Sequence, residues 1–184
     1  MEQLLSLLKT IPEYAAMVSS LQDGESVAVT GIGQINRSHM IAGLCRSLNC
    51  PMVVLCQDDL AARRLQEELK GFLSDTAPIL PGRDLTLYDA AVVSRSWEQK
   101  RLRQLYDLAT GKTGLQIMTW ESLSLRTMPK DTLLSAAFSL EVGREYAVED
   151  LVSRLTAAGY NRCGMVEGPG QFAVRGGILD IFSP

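Results

Sequence analysis

The sequence has no excess of charge of either sign and no long apolar run. Lysine and arginine total 18 and aspartate and glutamate total 21, so the formal net charge is −3 at neutral pH. A chain without a basic excess gives no electrostatic reason to expect binding to nucleic acid or to an anionic membrane. No apolar stretch approaches the roughly 20 residues of a membrane span, and the N-terminus does not have the pattern of a signal peptide.

Metal ligands are also scarce. The cysteines form no CxxC pair, and the single histidine, His39, lies in no ligand pattern with any of them. We therefore expect no structural zinc site, and no cofactor is expected for this chain. Cys45 and Cys56 lie in apolar runs, where a free thiol acts as a small core residue. Free thiols of this kind are typical of a reducing compartment, and a cytoplasmic location is expected.

The apolar residues that are present follow an alternation of strands and helices. Amphipathic helices separate four predicted strands, at residues 26–30, 52–56, 77–80 and 115–119. Strands that alternate with helices indicate a parallel, doubly wound sheet with right-handed crossovers. Residues 1–127 are therefore predicted to form one α/β domain.

A second, smaller α+β domain is predicted for residues 128–184, because the strand–helix rhythm changes near Met128. One helix there is predicted to end at Gly159. A β-hairpin follows, with strands at residues 172–175 and 178–182 and a turn at Gly176-Gly177, where glycine readily adopts positive φ.

The turn after the first predicted strand lies where α/β nucleotide-binding domains carry their phosphate loop. Against the pattern GxxxxGK[ST], Gly31 and Ser38 are retained, while Asn36 replaces the second glycine and Arg37 replaces the lysine. A side chain at the second glycine obstructs close approach of phosphate, and a planar guanidinium fits the phosphates differently from a compact ammonium. A degenerate phosphate loop and a plain glycine-containing turn are equally good interpretations at this point.

Two other patterns imitate nucleotide-binding motifs. Gly111-Lys112-Thr113 follows a helix and precedes a strand, which is the wrong polarity, so Gly111 is predicted to end the helix. Residues 178–180 imitate the apolar run and aspartate of a magnesium-binding strand. No second acid follows, and Asp180 is therefore interpreted as an ordinary strand residue.

A DNA-binding function would depend on a basic cluster in the helix that precedes the strand at 115–119. Its members are Arg95, Lys100, Arg101 and Arg103. Glu98 and Asp107 are interleaved with them, so the cluster is predicted to be a mixed, solvent-exposed helix face.

Several segments together resemble a known family. They are the VTGIGQINRS turn at residues 29–38, the pairs Tyr88-Asp89 and Arg101-Leu102, AAGY at residues 157–160, and FAVRGGILDIF at residues 172–182. In this order and spacing they resemble the N-terminal region of the bacterial transcription-repair coupling factors (Mfd). That region is itself similar to UvrB, the damage-verifying helicase of nucleotide excision repair.

The resemblance implies a degenerate RecA-type (P-loop-like) domain that no longer binds ATP, followed by a domain like UvrB domain 2 that binds UvrA. This chain would then be a non-catalytic docking module. The family's ATP-dependent DNA translocase, and its contacts to RNA polymerase and DNA, would lie in other regions. The family continues beyond Pro184, so the second domain could be truncated there. The alternative is a P-loop NTPase or helicase half-domain with a variant phosphate loop.

The resemblance also assigns site residues. UvrB has an FRVRG-like segment at the hairpin, and this sequence retains its second arginine as Arg175 but has Ala173 in place of the first. Arg175 is therefore the expected UvrA contact, with Phe172 and Gly176 shaping the hairpin around it. Tyr88 and Asp89 are expected to have no role beyond local packing and a turn.

Overall fold

The structure, a computed structural model, describes residues 2–74, 76–82 and 95–184. The chain divides into two compact units, one formed by Met1–Gly82 with Gly111–Leu125 and the other by Arg83–Thr110 with Arg126–Pro184. The fold is mixed α/β, with a small parallel sheet in the first unit and a separate three-stranded sheet in the second. The predicted division into domains 1–127 and 128–184 stays a prediction.

The helices are α1 Glu2–Leu8, α2 Pro12–Gln22, α3 Gln34–Leu48, α4 Asp59–Leu69, α5 Arg95–Ala109, α6 Trp120–Ser124, α7 Lys130–Ala136 and α8 Val148–Ala157. The strands are β1 Met52–Cys56, β2 Leu115–Thr119, β3 Asn161–Arg162, β4 Gln171–Arg175 and β5 Ile178–Phe182. Within the described ranges, no helix combines the length and apolarity needed to cross a membrane.

The sheet of the first unit consists of β1 and β2, paired in parallel from Met52 opposite Leu115 to Cys56 opposite Thr119. Both strands occur where the sequence predicts them. All five residues of β2 are buried, because β1 pairs along one edge of the strand and a bridge to Ile79 covers part of the other. The predicted strand at 77–80 is reduced to a single parallel bridge between Ile79 and Ile117.

The predicted strand at residues 26–30 is wrong. This segment forms no strand and pairs with no strand among the residues that the structure describes, and Val27 and Val29 are 37 % and 48 % exposed. Its apolar, β-branched composition suits a buried strand, but a strand also needs a neighbour that completes its backbone hydrogen bonds. The expected RecA-like doubly wound sheet is therefore not confirmed.

Helices α3 and α4 pack against the sheet to form the core of the first unit. Ala42 and Ala62 are fully buried there, together with Leu69 and Ile117. Asp58 begins α4 as its N-cap, with its carboxylate accepting a hydrogen bond from the Ala61 backbone at 2.7 Å. An aspartate directly before an apolar-periodic helix is a pattern from which such a cap can be predicted, and a cap of this kind stabilises a helix by about 1 kcal/mol.

The second unit contains the sheet β3-β4-β5. Its short first pairing is parallel, and β4 and β5 form the predicted antiparallel hairpin. Helix α8 buries Leu151 and Leu155, and the chain leaves it through Gly159 at a φ of 86°. The helix end predicted at Gly159 is confirmed, whereas β3, only two residues long, was not predicted.

Helix α5 corrects one prediction about the basic cluster. Lys100 and Arg103 are exposed, and Arg103 pairs with Asp107 at 3.1 Å. Arg101 is only 5 % exposed, and burial lowers its pKa. A buried guanidinium cannot belong to a solvated face, so that prediction is wrong for Arg101.

Candidate partner-binding site

The hairpin formed by β4 and β5 has two different faces. Its register places Arg175 opposite Ile178, Ala173 opposite Asp180, and Phe172 opposite Ile181. Because side chains alternate along a strand and opposite residues share a face, Arg175, Ile178, Ala173 and Asp180 lie on one face and Phe172 lies on the other. Ala173, on the central strand β4, is only 1 % exposed.

The Phe172 face is directed into the second unit. Phe172 is completely buried, and Val174, Leu179 and Ile181 on the same face are partly buried. A side chain with no exposed surface cannot contact a partner protein without unfolding. Phe172 can therefore contribute to a binding site only by anchoring the hairpin, which is the role that the motif predicts for it.

The opposite face presents Arg175 to solvent. Its guanidinium Nη2 donates a hydrogen bond to Asp180 Oδ2, and the two side chains are 61 % and 38 % exposed. Ile178 and Phe182 on the same face are 62 % and 45 % exposed. We call these four side chains, Arg175, Ile178, Asp180 and Phe182, the outer hairpin face.

The turn of the hairpin depends on glycine. Two residues, Gly176 and Gly177, connect the paired residues Arg175 and Ile178, and Gly176 has a φ of 60°. Two-residue hairpin turns require left-handed backbone, which a side chain disfavours by about 1 kcal/mol or more. Gly176 therefore contributes its backbone conformation, which allows the tight turn directly after Arg175.

The base of the hairpin is braced by the loop that precedes β4. Gln171 Oε1 accepts hydrogen bonds from the backbone of Glu167 at 2.8 Å and of Gly168 at 3.1 Å. The Gly170 backbone donates to the Phe182 carbonyl at 2.8 Å. These contacts and the pairing of β3 with β4 brace the backbone at the base of the hairpin, beneath the outer hairpin face.

The phosphate-loop position has a different geometry. Gly31 has a φ of 80°, and α3 begins at Gln34 with Gly33 as its N-cap. Asn36 and Arg37 therefore lie inside the first turns of the helix, and the Asn36 backbone donates to the Gly33 carbonyl at 3.0 Å. Only three residues, 31–33, remain between the segment at residues 26–30 and the first residue of α3 to surround an anion.

Ser38 occupies the position of the hydroxyl that would contact a magnesium ion in a working phosphate loop. It is 2 % exposed, and its hydroxyl donates to the Ile35 carbonyl at 3.4 Å. The hydroxyl is therefore turned into the helix.

Nothing in the described ranges is arranged to bind metal. No three His, Cys, Asp or Glu side chains there lie close enough together to hold an ion. Burial raises the pKa of the Cys45 and Cys56 thiols, which keeps both in the neutral form. Cys50, by contrast, is exposed.

Two predicted residues cannot be placed. Tyr88 and Asp89 lie outside the described residues. The sequence interpretation took Asp180 for an ordinary strand residue, whereas the structure pairs its carboxylate with the Arg175 guanidinium. Strand alternation on both sides of a two-residue turn would have placed it on the Arg175 face.

Comparison with known proteins supports the resemblance inferred from the motifs. The model of the family described as "UvrB interaction domain" matches residues 138–184, which include α8, β3, β4 and β5. The chain is related to the transcription-repair-coupling factors. It is 25 % identical to the factor of Bacillus subtilis over 184 residues, which cover 99 % of this chain and 16 % of that protein.

Two other transcription-repair-coupling factors give the same picture. Identity is 30 % over 179 residues with the factor of Myxococcus xanthus, covering 93 % of this chain and 15 % of that protein. It is 28 % over 155 residues with the factor of Staphylococcus aureus strain USA300, covering 84 % and 13 %. The chain thus spans about one sixth or less of the length of these relatives.

Proposed function

We propose that this chain is a non-catalytic docking module of a transcription-repair coupling factor, and that it binds UvrA through the hairpin of its second unit. The observation that carries the proposal is the match of residues 138–184 to the UvrB interaction domain. That segment ends in a braced hairpin with an exposed arginine. UvrA is the proposed partner because the resemblance implies that UvrB and the coupling factors bind it through the same kind of domain.

Arg175 is the proposed main contact. Arg175 is the last paired residue of β4, directly before the glycine turn, so its backbone is already ordered in the free chain. Little backbone freedom is therefore lost when it binds. Its planar guanidinium can donate paired hydrogen bonds to a carboxylate, and arginine is frequent among residues that dominate interface energies. Gly176 sets the turn and Phe172 anchors the strand.

The biological role follows from the relatives' name. After a coupling factor acts on a stalled RNA polymerase, this module would bring UvrA to the lesion for nucleotide excision repair. Contacts to RNA polymerase and DNA, and the translocase activity, are assigned to other regions of the full-length protein. A cytoplasmic location belongs to the same proposal.

The module is proposed to bind no ATP. The first unit is interpreted as a degenerate RecA-type domain in which Asn36 and Arg37 replace the residues that contact phosphate, and in which α3 begins before them. Calorimetry with Mg-ATP is expected to give no dissociation constant below about 100 µM, or roughly −5.5 kcal/mol. Tighter binding would favour a functional NTPase half-domain.

Binding of purified UvrA by the wild-type chain and by Arg175→Ala tests the docking proposal. Truncation of an interface arginine commonly costs ~2 to 4 kcal/mol, so affinity should fall roughly 30- to 700-fold. Arg144→Ala is the matched control, because Arg144 is similarly exposed, at 67 %, and pairs with Glu141 in the same unit. Circular dichroism should show both variants folded, since a surface arginine leaves no cavity.

UvrB provides the competition experiment. If the two proteins dock on the same surface of UvrA, added UvrB should displace this chain. Simultaneous binding of both proteins to one UvrA surface, or equal affinity of the wild type and Arg175→Ala, would contradict the proposed site.

A further inference from the structure

The outer hairpin face contains an ion pair whose members lie diagonally across the two strands. Arg175 is opposite Ile178, and Asp180 is opposite Ala173, so the arginine and the aspartate are one diagonal step apart on the same face. Diagonal neighbours are within reach of long side chains. The Arg175 guanidinium spans this step and donates from Nη2 to Asp180 Oδ2.

As a stabilising contact, the pair is worth little. Both side chains are well exposed, and exposed pairs typically contribute about 0 to 1 kcal/mol to folding. The hairpin is already held by its backbone ladder, the buried Phe172 and the glycine turn. Fold stability therefore gives no sufficient reason for a carboxylate at this position.

The geometry gives another role to the carboxylate. An arginine side chain has four rotatable bonds and five N–H donors, and an unrestrained one must be ordered each time it binds. Asp180 engages one donor on Nη2, while 61 % of the Arg175 side chain remains exposed. The guanidinium is thus oriented before binding, with most of its donors still available.

We infer that Asp180 is a positioning residue, which orients Arg175 so that its remaining donors are presented to UvrA between the exposed side chains of Ile178 and Phe182. This inference rests on the proposed function. The matching surface of UvrA then offers carboxylate or carbonyl oxygens to the Arg175 guanidinium. It offers apolar side chains to Ile178 and Phe182, which lie on either side of the guanidinium.

The inference predicts a binding loss that depends on Arg175. Asp180→Asn keeps the shape of the side chain and removes its charge, so Arg175 loses its strongest local acceptor. UvrA affinity should fall roughly 2- to 10-fold, the expected effect of ordering one additional flexible side chain during binding. Asp180→Glu, which retains a carboxylate, should recover part of the loss. Glu141→Gln, which breaks the Arg144 pair, should have no effect.

A double-mutant cycle separates positioning from direct contact. If Asp180 acts through Arg175, then Asp180→Asn should change nothing in an Arg175→Ala background. An equal loss in both backgrounds would show that Asp180 itself contacts UvrA and would overturn the inference. Tighter binding by Asp180→Asn would also overturn it, since the aspartate would then be competing with the partner for the guanidinium.

A second measurement needs no partner. Nitrogen-15 relaxation of the Arg175 Nε–Hε group should show restricted motion in the wild type and greater motion in Asp180→Asn. Equal mobility in the two proteins would refute the positioning role whether or not UvrA binds. If the wild type fails to bind UvrA while the relaxation difference is present, the proposed function fails and the positioning of Arg175 by Asp180 stands.

Discussion

The segments that precede Gly31 and Gly176 have similar sequence patterns, but only the segment before Gly176 forms a strand in the structure. Each is a β-prone apolar run followed by a turn in which a glycine adopts positive φ, of 80° and 60° respectively. The run before Gly176 is β4, paired on both sides by β3 and β5. The run before Gly31 is exposed and pairs with no strand in the part of the chain that the structure describes.

The difference shows that composition alone does not make a strand. Strand β4 is followed by its partner β5 after only two residues, so the hydrogen bonds between the two strands can form locally. Residues 26–30 would need a partner from a distant part of the chain. Where no such partner pairs with the segment, its backbone groups bond to water and its valines stay exposed.

The largest expected effect on stability follows from removing the buried side chain of Phe172 in β4. Phe172→Ala should destabilise the second unit by about 3 to 5 kcal/mol, because it removes a fully buried aromatic side chain and leaves a cavity. Urea unfolding followed by circular dichroism would measure the change. Phe182→Ala is the control, since Phe182 is 45 % exposed and its loss should be much smaller. Equal losses would mean that the two faces of the hairpin are wrongly assigned.

The two glycines permit a direct comparison. Gly176→Ala and Gly31→Ala both place a side chain at positive φ, so each should destabilise its own unit by roughly 1 to 2 kcal/mol. Only Gly176→Ala should also weaken UvrA binding, because only that turn directs Arg175. A binding loss in Gly31→Ala, measured by the same titration, would show that the first unit takes part in docking.

A third experiment uses pH to test the burial of Cys56 at the end of strand β1. Burial raises the pKa of the Cys56 thiol above its ordinary value of 9.0. Since the folded state then holds the proton more tightly than the unfolded state, this stabilisation is present below the unfolded pKa and is lost as pH rises through the folded pKa.

The melting temperature should therefore fall as the pH rises from the ordinary thiol pKa of 9.0 through the raised pKa of Cys56, and should fall less in Cys56→Ala, since that variant lacks the thiol that titrates. The exposed Cys50 should react with a thiol reagent faster than Cys56. An identical pH dependence in both proteins would argue that Cys56 is not buried at the end of β1.

The smallest effect is expected in the unpaired run itself. Val29→Thr should change the free energy of unfolding by less than about 0.5 kcal/mol, because the side chain is 48 % exposed and has no strand neighbour. The buried Ile117→Thr in β2 is the comparison, and it should be clearly destabilising. A large effect at Val29 would indicate that residues 26–30 do join the sheet in solution.

The features that could be predicted from the sequence are those determined by near neighbours. The Asp58 cap, the helix end at Gly159 and the hairpin at Gly176-Gly177 each depend on residues a few positions apart. The exposure of residues 26–30 and the burial of Arg101 depend on which distant segments pack nearby, and a single sequence carries no signal for that. At the candidate site, Arg175 could be predicted from a sequence motif, whereas its ion pair with Asp180 became visible only from the register of β4 and β5.

The two sheets also differ in how their folding must proceed. Strands β4 and β5 are separated by two residues, so the hairpin can form in about 1 to 10 µs, the usual time for local pairing. Pairing of β1 with β2 must first close the chain between residues 56 and 115, a loop whose entropic cost is met only when the helices pack. The hairpin that carries Arg175 is therefore expected to reach its native shape early. Slow steps in the maturation of the first unit should not delay it.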